Sequence, residues 1–470
     1  MAVRPNILLI MTDQQRWDAL GCVTNWMQTP NMDRIASEGV RFSRCITNSP
    51  VCIPTRRTMA TGHYCHNTGV WYNGNHSLDR DANTWMRAIR DAGYRTSLFG
   101  KTHLNAEHDG DIRNVEHVLR SQGIDDIDET VGPRACVKTL SNLTAEWDRQ
   151  GLWDSYRVDY DERFSNLANV VRPSPLPLEL YYDTYVGQKS RAYLKQYDRN
   201  QPWFCWVSFG GPHEPWDTPE PYASMYDRSA MPTPIEFEDV GSGPKGNLNK
   251  MFDTGGTDPV TLPSYKTSGR VDLTSEQIEA MRSDYAGSVS LIDEQIGGLF
   301  ETIEARGEWD NTVAVLVSDH GEMNGDFGLI YKSNFMNSAA RVPLLVKGPE
   351  IDGGRVCDSP VEWFDVGPTL AAYAGTELDY KQFAKSLQPC LTDTNTKIRD
   401  ESLCELSREI MITDEKWKMA VNQGGEPYLL FDLQEDPCES RNLAGKDDYK
   451  DLEKELKLRM FDRVLQAQLD

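Results

Sequence analysis

Four continuous apolar runs, far apart in the chain, each stop at residues able to do chemistry. Asn6-Ile7-Leu8-Leu9-Ile10-Met11 runs into Thr12-Asp13-Gln14, and Thr96 to Gly100 runs into Lys101-Thr102-His103. Trp203 to Phe209 runs through Gly210-Gly211-Pro212 into His213, and Thr312 to Val317 runs through Ser318 into Asp319-His320. Runs that are apolar throughout, rather than alternating, read as strands covered on both faces, the habit of parallel sheets. Segments of helical spacing lie between them, which predicts an α/β fold: a large, mixed, mostly parallel sheet flanked by helices. In open sheets of this kind ligands gather beyond the carboxyl ends of the strands. One sheet edge therefore receives Asp13, Gln14, Lys101, His103, His213, Asp319 and His320. Each alone has a plain explanation, since loops after strands are polar. Together, two carboxylates, an amide and an imidazole make a donor set for a hard cation.

A second signal is the segment Ser49-Pro50-Val51-Cys52-Ile53-Pro54-Thr55-Arg56-Arg57 and its close at Thr61-Gly62. Proline is tolerated in the first turn of a helix, where its missing N–H has no intrahelical partner to lose. A helix starting near residue 53 would turn its free N–H groups and positive dipole end toward Cys52. Arg56 and Arg57 add positive charge one turn in. This is a setting for an anion and for a nucleophile of depressed pKa. Taken alone, the segment reads equally well as a buried structural cysteine beside a surface arginine pair.

The same segment resembles the signature of the sulfatase family, C-x-P-S/T-R, in which the cysteine is oxidised to formylglycine. Thr55 stands for the commoner Ser, and Ala60 for the Leu usual before Thr-Gly. Further family motifs are matched in order: Gly100-Lys101-Thr102-His103-Leu104, Pro212-His213-Glu214-Pro215, Ser318-Asp319-His320-Gly321-Glu322, and Lys332 ahead of Arg341-Val342-Pro343-Leu344. Non-catalytic landmarks at 29–42, 285–300, 364–375 and 428–444 agree, so the resemblance spans nearly the whole chain. It implies an alkaline phosphatase-like catalytic domain over residues 1–375. A small C-terminal domain, an antiparallel sheet with a terminal helix, would follow over 376–470.

The resemblance also implies a mechanism for sulfate ester hydrolysis. Cys52, converted by a formylglycine-generating enzyme, would supply a hydrated aldehyde as nucleophile. Asp13, Gln14, Asp319 and His320 would hold one divalent metal, calcium by family habit, with manganese left open by the imidazole. Arg56 would orient the hydrate, Lys101 and Lys332 would bind the sulfate, His213 with Lys332 would protonate the leaving alcohol, and His103 would take the proton that lets sulfate go. The expected substrate is a sulfated carbohydrate or a small alkyl or aryl sulfate. Gln14, in place of a second Asp, is also found in the phosphonate monoester hydrolase branch. Hydrolysis of phosphonate monoesters or phosphodiesters is therefore the alternative, and an inactive binder of sulfated ligands a third reading.

Composition narrows the partners. The net charge of −23 over 470 residues argues against nucleic acid or an anionic membrane, and would repel a sulfated substrate at long range. Any sulfate site must be a local basic pocket. No apolar run approaches the ~18 residues of a membrane span. The N-terminus lacks a signal-peptide core, which reads as cytoplasmic as written, or as periplasmic or secreted if a leader has been removed. Ten cysteines without C-x-x-C spacing suggest neither a disulfide framework nor a zinc ribbon. Near the C-terminus, 410–421 and 428–433 read as strands around a turn at 423–426. Residues 446–467, with Leu452, Leu456 and Leu458, read as a helix. Stretches 105–180 and 229–270 read as long loops that choose the substrate. Oligomeric state is left open.

Overall fold

The central strand is covered on both faces, and that decides the architecture. The computed structural model describes residues 4–74, 76–105, 110–166, 170–241, 243–244, 246 and 273–469. Its strands are β1 (Asn6–Asp13), β2 (Val40–Phe42), β3 (Cys45–Ile46), β4 (Arg95–Lys101), β5 (Asp126–Thr130), β6 (Trp203–Pro212), β7 (Thr312–Ser318), β8 (Leu344–Lys347), β9 (Arg355–Cys357) and β10 (Val361–Glu362). They are followed by β11 (Ser402–Leu406), β12 (Glu409–Thr413), β13 (Trp417–Val421) and β14 (Pro427–Asp432). The helices that matter here are α1 (Pro30–Glu38), α2 (Cys52–Thr61), α3 (Trp85–Asp91), α4 (Tyr182–Gln196), α5 (Ser275–Ala305), α6 (Val366–Tyr373) and α7 (Lys450–Gln466).

Eight strands form one sheet in the order β5-β4-β6-β1-β7-β8-β2-β9. Every neighbouring pair is parallel except the two made by β8. β1 is buried along its whole length. Its even residues Leu8 and Ile10 join a core with Met32 and Ile35 of α1, Val186 and Leu194 of α4, and Val289, Ile292 and Ile296 of α5. Its odd residues Ile7, Leu9 and Met11 join a core on the other face with Met59 of α2, Trp85 and Ile89 of α3, and Leu370 of α6. Each such side chain, fully buried, contributes roughly 1.5–3 kcal/mol. The period of two explains why the run carries no polar alternation.

Register delivers the chemistry. Thr12 pairs Ser318 on β7, and Asp13 lies opposite Pro212 on β6. Gly100 on β4 lies opposite Ser208 on β6. Asp13, Lys101, His213 and Asp319 thus leave one edge of the sheet together, as the apolar runs predict. Beyond β4 the chain does not continue as a strand: His103 sits at φ +56°. Lys101 and His103 are therefore not alternate residues of one extended segment.

The C-terminal sheet is an antiparallel meander, β11-β12-β13-β14. The strand expected over 410–421 is two strands. Asp414 breaks it by accepting the N–H groups of Lys416 and Trp417 at 2.8 and 2.7 Å. The terminal helix is shorter than expected and is preceded by a 3-10 turn, Asp447–Tyr449. Leu456 and Met460 of α7, with Leu403, Ile412, Met419 and Leu430 of the meander, belong to the same core as Ile7 and Leu9. Leu458 points outward. The stretch 105–180 is no unbroken loop: it holds β5 and helices Asn142–Arg149 and Trp153–Asn166. Of the stretch 229–270, residues 242, 245 and 247–270 lie outside the described residues.

Gly100 sets how close β4 comes to β6. Its φ is +103°, and a Cβ there would stand 1.9 Å from the Ser208 carbonyl oxygen. Gly100→Ala should therefore destabilise the fold by ~2–4 kcal/mol. Chemical denaturation should show a lowered midpoint with an unchanged slope.

Candidate active site

Cys52 opens α2, whose ten residues are all buried. Pro54 falls in its first turn. Asn73 accepts the Ile53 N–H at 2.9 Å and so satisfies one donor at the helix start. One turn along, Arg56 reaches back beneath Cys52. Its guanidinium is fully buried and every nitrogen is used. Nε donates to Asp319 Oδ2 at 2.8 Å, Nη2 to Asp13 Oδ2 at 3.0 Å, and Nη1 to the Lys101 carbonyl at 2.8 Å and Ser208 Oγ at 3.1 Å. Lys101 Nζ donates to the same Asp13 oxygen at 2.6 Å.

Above this pair of carboxylates, one donor atom each from Asp13, Cys52, Asp319 and His320 lies within 4.8 Å of the others. Cys52 Sγ is 3.0 Å from His320 Nε2 and 4.0 Å from Asp13 Oδ1. The His320 ring is fixed by Nδ1 against the Gly321 carbonyl at 3.0 Å, which leaves Nε2 as the ligating nitrogen. Hard carboxylate oxygens with one imidazole suit a divalent cation, so the residues present fit the expected metal.

Gln14 meets this cluster through its backbone, at φ +70°, donating N–H to Asp319 Oδ1 at 3.1 Å. Its side chain turns to a second cluster. Nε2 donates to Glu214 Oε2 at 2.8 Å and to Glu322, and Oε1 accepts from Lys332. An amide oxygen has two acceptor sites, so one remains for a cation.

Lys332 Nζ also donates to His213 Nε2 at 2.9 Å, while His213 Nδ1 donates to the Glu214 carbonyl at 2.7 Å. These bonds assign a neutral His213 whose proton sits on Nδ1. Burial, and then the Lys332 ammonium, hold this imidazole well below its ordinary pKa. Burial would raise the Cys52 thiol, but Lys332, Lys101 and His320, with a hydrogen bond from His103, outweigh it and bring the thiol well below its usual value. His320 moves the other way: burial opposes its charge, but Asp319 and Cys52 raise it.

All ten residues expected from sequence therefore meet in one buried place, with Gln14 facing Lys332 as well as Asp319. Sequence reasoning missed several supports. Glu214 and Glu322 stood inside recognised motifs, next to His213 and two residues after His320, and that position was the available hint. Arg134, which binds Glu214 from the stretch read as a loop, gave no such hint, nor did Asn73. Thr55 has a role too: its hydroxyl is 2.7 Å from that of Thr47, which donates to the Asp319 carbonyl at 2.6 Å.

The chain is similar to known proteins over nearly its whole length. The Sulfatase family model matches residues 5–376, and a model of the C-terminal part of N-sulphoglucosamine sulphohydrolase matches residues 325–466. The chain is 29% identical to an arylsulfatase of Clostridium perfringens, covering 96% of this chain and 92% of that protein. It is 28% identical to a choline-sulfatase of Rhizobium meliloti, covering 94% and 82%. Among solved structures, the phosphonate monoester hydrolase of Agrobacterium radiobacter superposes with a TM-score of 0.79 at 25% identity, covering 99% of this chain and 96% of that one.

Arg56 is the only described cation that touches both Asp13 and Asp319 through its side chain. Arg56→Ala would leave two buried carboxylates short of a partner, at a cost of ~3–5 kcal/mol. Thermal unfolding should show a large fall in Tm, and added divalent cation should recover part of it by neutralising the same carboxylates.

Proposed function

The chain belongs to the sulfatase family of sulfuric ester hydrolases, and from that footing we propose that it hydrolyses sulfate esters at Cys52, matured to formylglycine, beside one divalent metal ion. The observation that carries this reading is the placement of Cys52 at a helix start, within 4.8 Å of Asp13, Asp319 and His320. Hydration of the formylglycine aldehyde supplies one hydroxyl to attack sulfur and a second from which sulfate can be expelled. Asp13, Gln14, Asp319 and His320 would hold a divalent ion, calcium by the family's habit, which would polarise sulfate oxygens and acidify an adjacent hydroxyl.

The chain's own residues do the rest. Arg56, Lys101, Lys332 and Arg134 balance Asp13, Asp319, Glu214 and Glu322 in formal charge, so a divalent cation leaves the site positive toward an anion. Lys101 and Lys332 hold the sulfate oxygens. Arg56 fixes the floor on which the nucleophile stands. Lys332, charged and bonded to neutral His213, is the proton store for the leaving alcohol; after it gives a proton up, His213 Nε2 remains to orient the amine. His103, beside the Cys52 side chain, accepts the proton of the second hydroxyl as sulfate departs. The N-sulphoglucosamine sulphohydrolase match over the C-terminal residues supports a sulfated sugar as substrate.

A second reading, a phosphonate monoester or phosphodiester hydrolase, is favoured by Gln14 with His320 and by the Agrobacterium radiobacter structure. The Lys101 and His103 pair argues for the sulfate ester, since it places a fixed cation and a base at the transferred group.

Protein co-produced with a formylglycine-generating enzyme should show the peptide bearing residue 52 lighter by ~18 Da. Cys52→Ala should keep the fold by circular dichroism and lose turnover; an active Cys52→Ala protein would remove this mechanism. In a matched substrate set, kcat/KM should be higher for the sulfate monoester than for the phosphonate monoester or phosphodiester. His103→Ala should convert a linear time course into a burst of alcohol followed by slow turnover. A preference for the phosphorus esters would move the assignment to the second reading.

A further inference from the structure

The C-terminal helix α7 is half used. Its inner face buries Leu456 and Met460 in the core, and Arg463 donates to the Glu401 carbonyl at 2.6 Å. Its outer face carries Leu458, Phe461 and Leu465, exposed by 66%, 58% and 54%. Scattered apolar residues on a surface need no explanation. These three are spaced by three and then four residues, which puts them in one stripe along the helix. Apolar positions at that spacing are the a and d seam of a two-helix pairing, with Leu458 at a, Phe461 at d and Leu465 at the next a.

The flanks of the stripe say what covers it. On this register Lys450 and Lys457 occupy g positions, and Glu455 and Asp462 occupy e positions; all four are exposed. In a parallel pair, a g residue of one helix faces the e residue five positions later in the other. Lys450, which also pairs with Asp447 of its own chain, then faces Glu455 of a second copy, and Lys457 faces Asp462. Both pairs are of opposite charge, and the two-fold axis makes each twice. In an antiparallel pair the g flanks face each other and the e flanks face each other, so lysine meets lysine and carboxylate meets carboxylate. The charges of the e and g flanks are self-complementary in one orientation only. The preceding a and d positions, Asp451 and Lys454, are bonded to each other at 2.8 Å, so the apolar seam ends there in an ion pair of no net charge.

We propose that α7 is the contact of a homodimer, in which the two copies of the helix lie parallel about a two-fold axis with Leu458, Phe461 and Leu465 as the seam. A symmetric closed pair is the commonest way a soluble chain covers such a surface. None of these residues belongs to the proposed active site, so each copy works independently.

The test uses the full chain in sedimentation velocity across the micromolar range. The wild type should run at twice the chain mass. Phe461→Glu should run as a monomer with kcat/KM per chain unchanged. Lys457→Glu should raise the dimer dissociation constant about tenfold, by turning the exposed attractions into repulsions. The double change Lys457→Glu with Asp462→Lys should restore it, because the parallel register pairs these two positions. A wild type that stays monomeric would overturn the proposal, as would a Phe461→Glu protein that stays dimeric or a double variant no tighter than Lys457→Glu. A monomer that floats with lipid vesicles, and ceases to on Phe461→Glu, would give the stripe to a membrane surface instead.

Discussion

The site rests on one guanidinium. Asp13 and Asp319 approach the same small volume from strands that meet only in space, and two carboxylates so placed repel and resist burial. Arg56 removes both objections at once, bonding one oxygen of each while spending its remaining N–H groups on the Lys101 carbonyl and Ser208. A lysine could not do this, since the fork of planar donors is what reaches two acids and two further acceptors from one stem. Because Arg56 lies one turn after Cys52, the same residue fixes where Cys52 stands. Helix, candidate metal ligands and sheet edge are tied by a single side chain.

The proton chemistry is set by a gradation of partners. Lys332 is wedged between an amide oxygen and an imidazole nitrogen, both acceptors, and Gln14 in turn has its amide nitrogen between Glu214 and Glu322. An acid at position 14 would bind the ammonium more tightly, and would add a charge to two already buried. Glutamine relays the pull of the two glutamates to Lys332 while staying neutral. That is a physical reason for the amide here, separate from any role toward a metal.

Much of this was legible before folding because the informative residues sit where long apolar runs end. Those runs named the sheet, and the sheet's register named the neighbours of Asp13. What failed was local. The turn at Asp414 lies in the polar run Thr413-Asp414-Glu415-Lys416, which reads as part of one strand because it holds neither glycine nor proline; a single side chain accepting two backbone N–H groups ends the strand there instead. The departure from extended backbone at His103 left no mark in sequence either, because its neighbours hold it from the side. Supports such as Asn73 and Arg134 act across long sequence separations, and no spacing rule connects them to the residues they serve.

Every residue of α2 is enclosed, and the meander from β11 to β14 shares a core with the first strand of the chain. The segment Cys52-Ile53-Pro54-Thr55-Arg56 is therefore a linear, accessible peptide only while that core is still open. Any enzyme that oxidises Cys52 works against the clock of folding, because the meander and β1 close that core together. If Cys52 is matured as proposed, the yield of active protein becomes a ratio of two rates, oxidation and enclosure, and slowing the docking of the meander would raise it without touching the site.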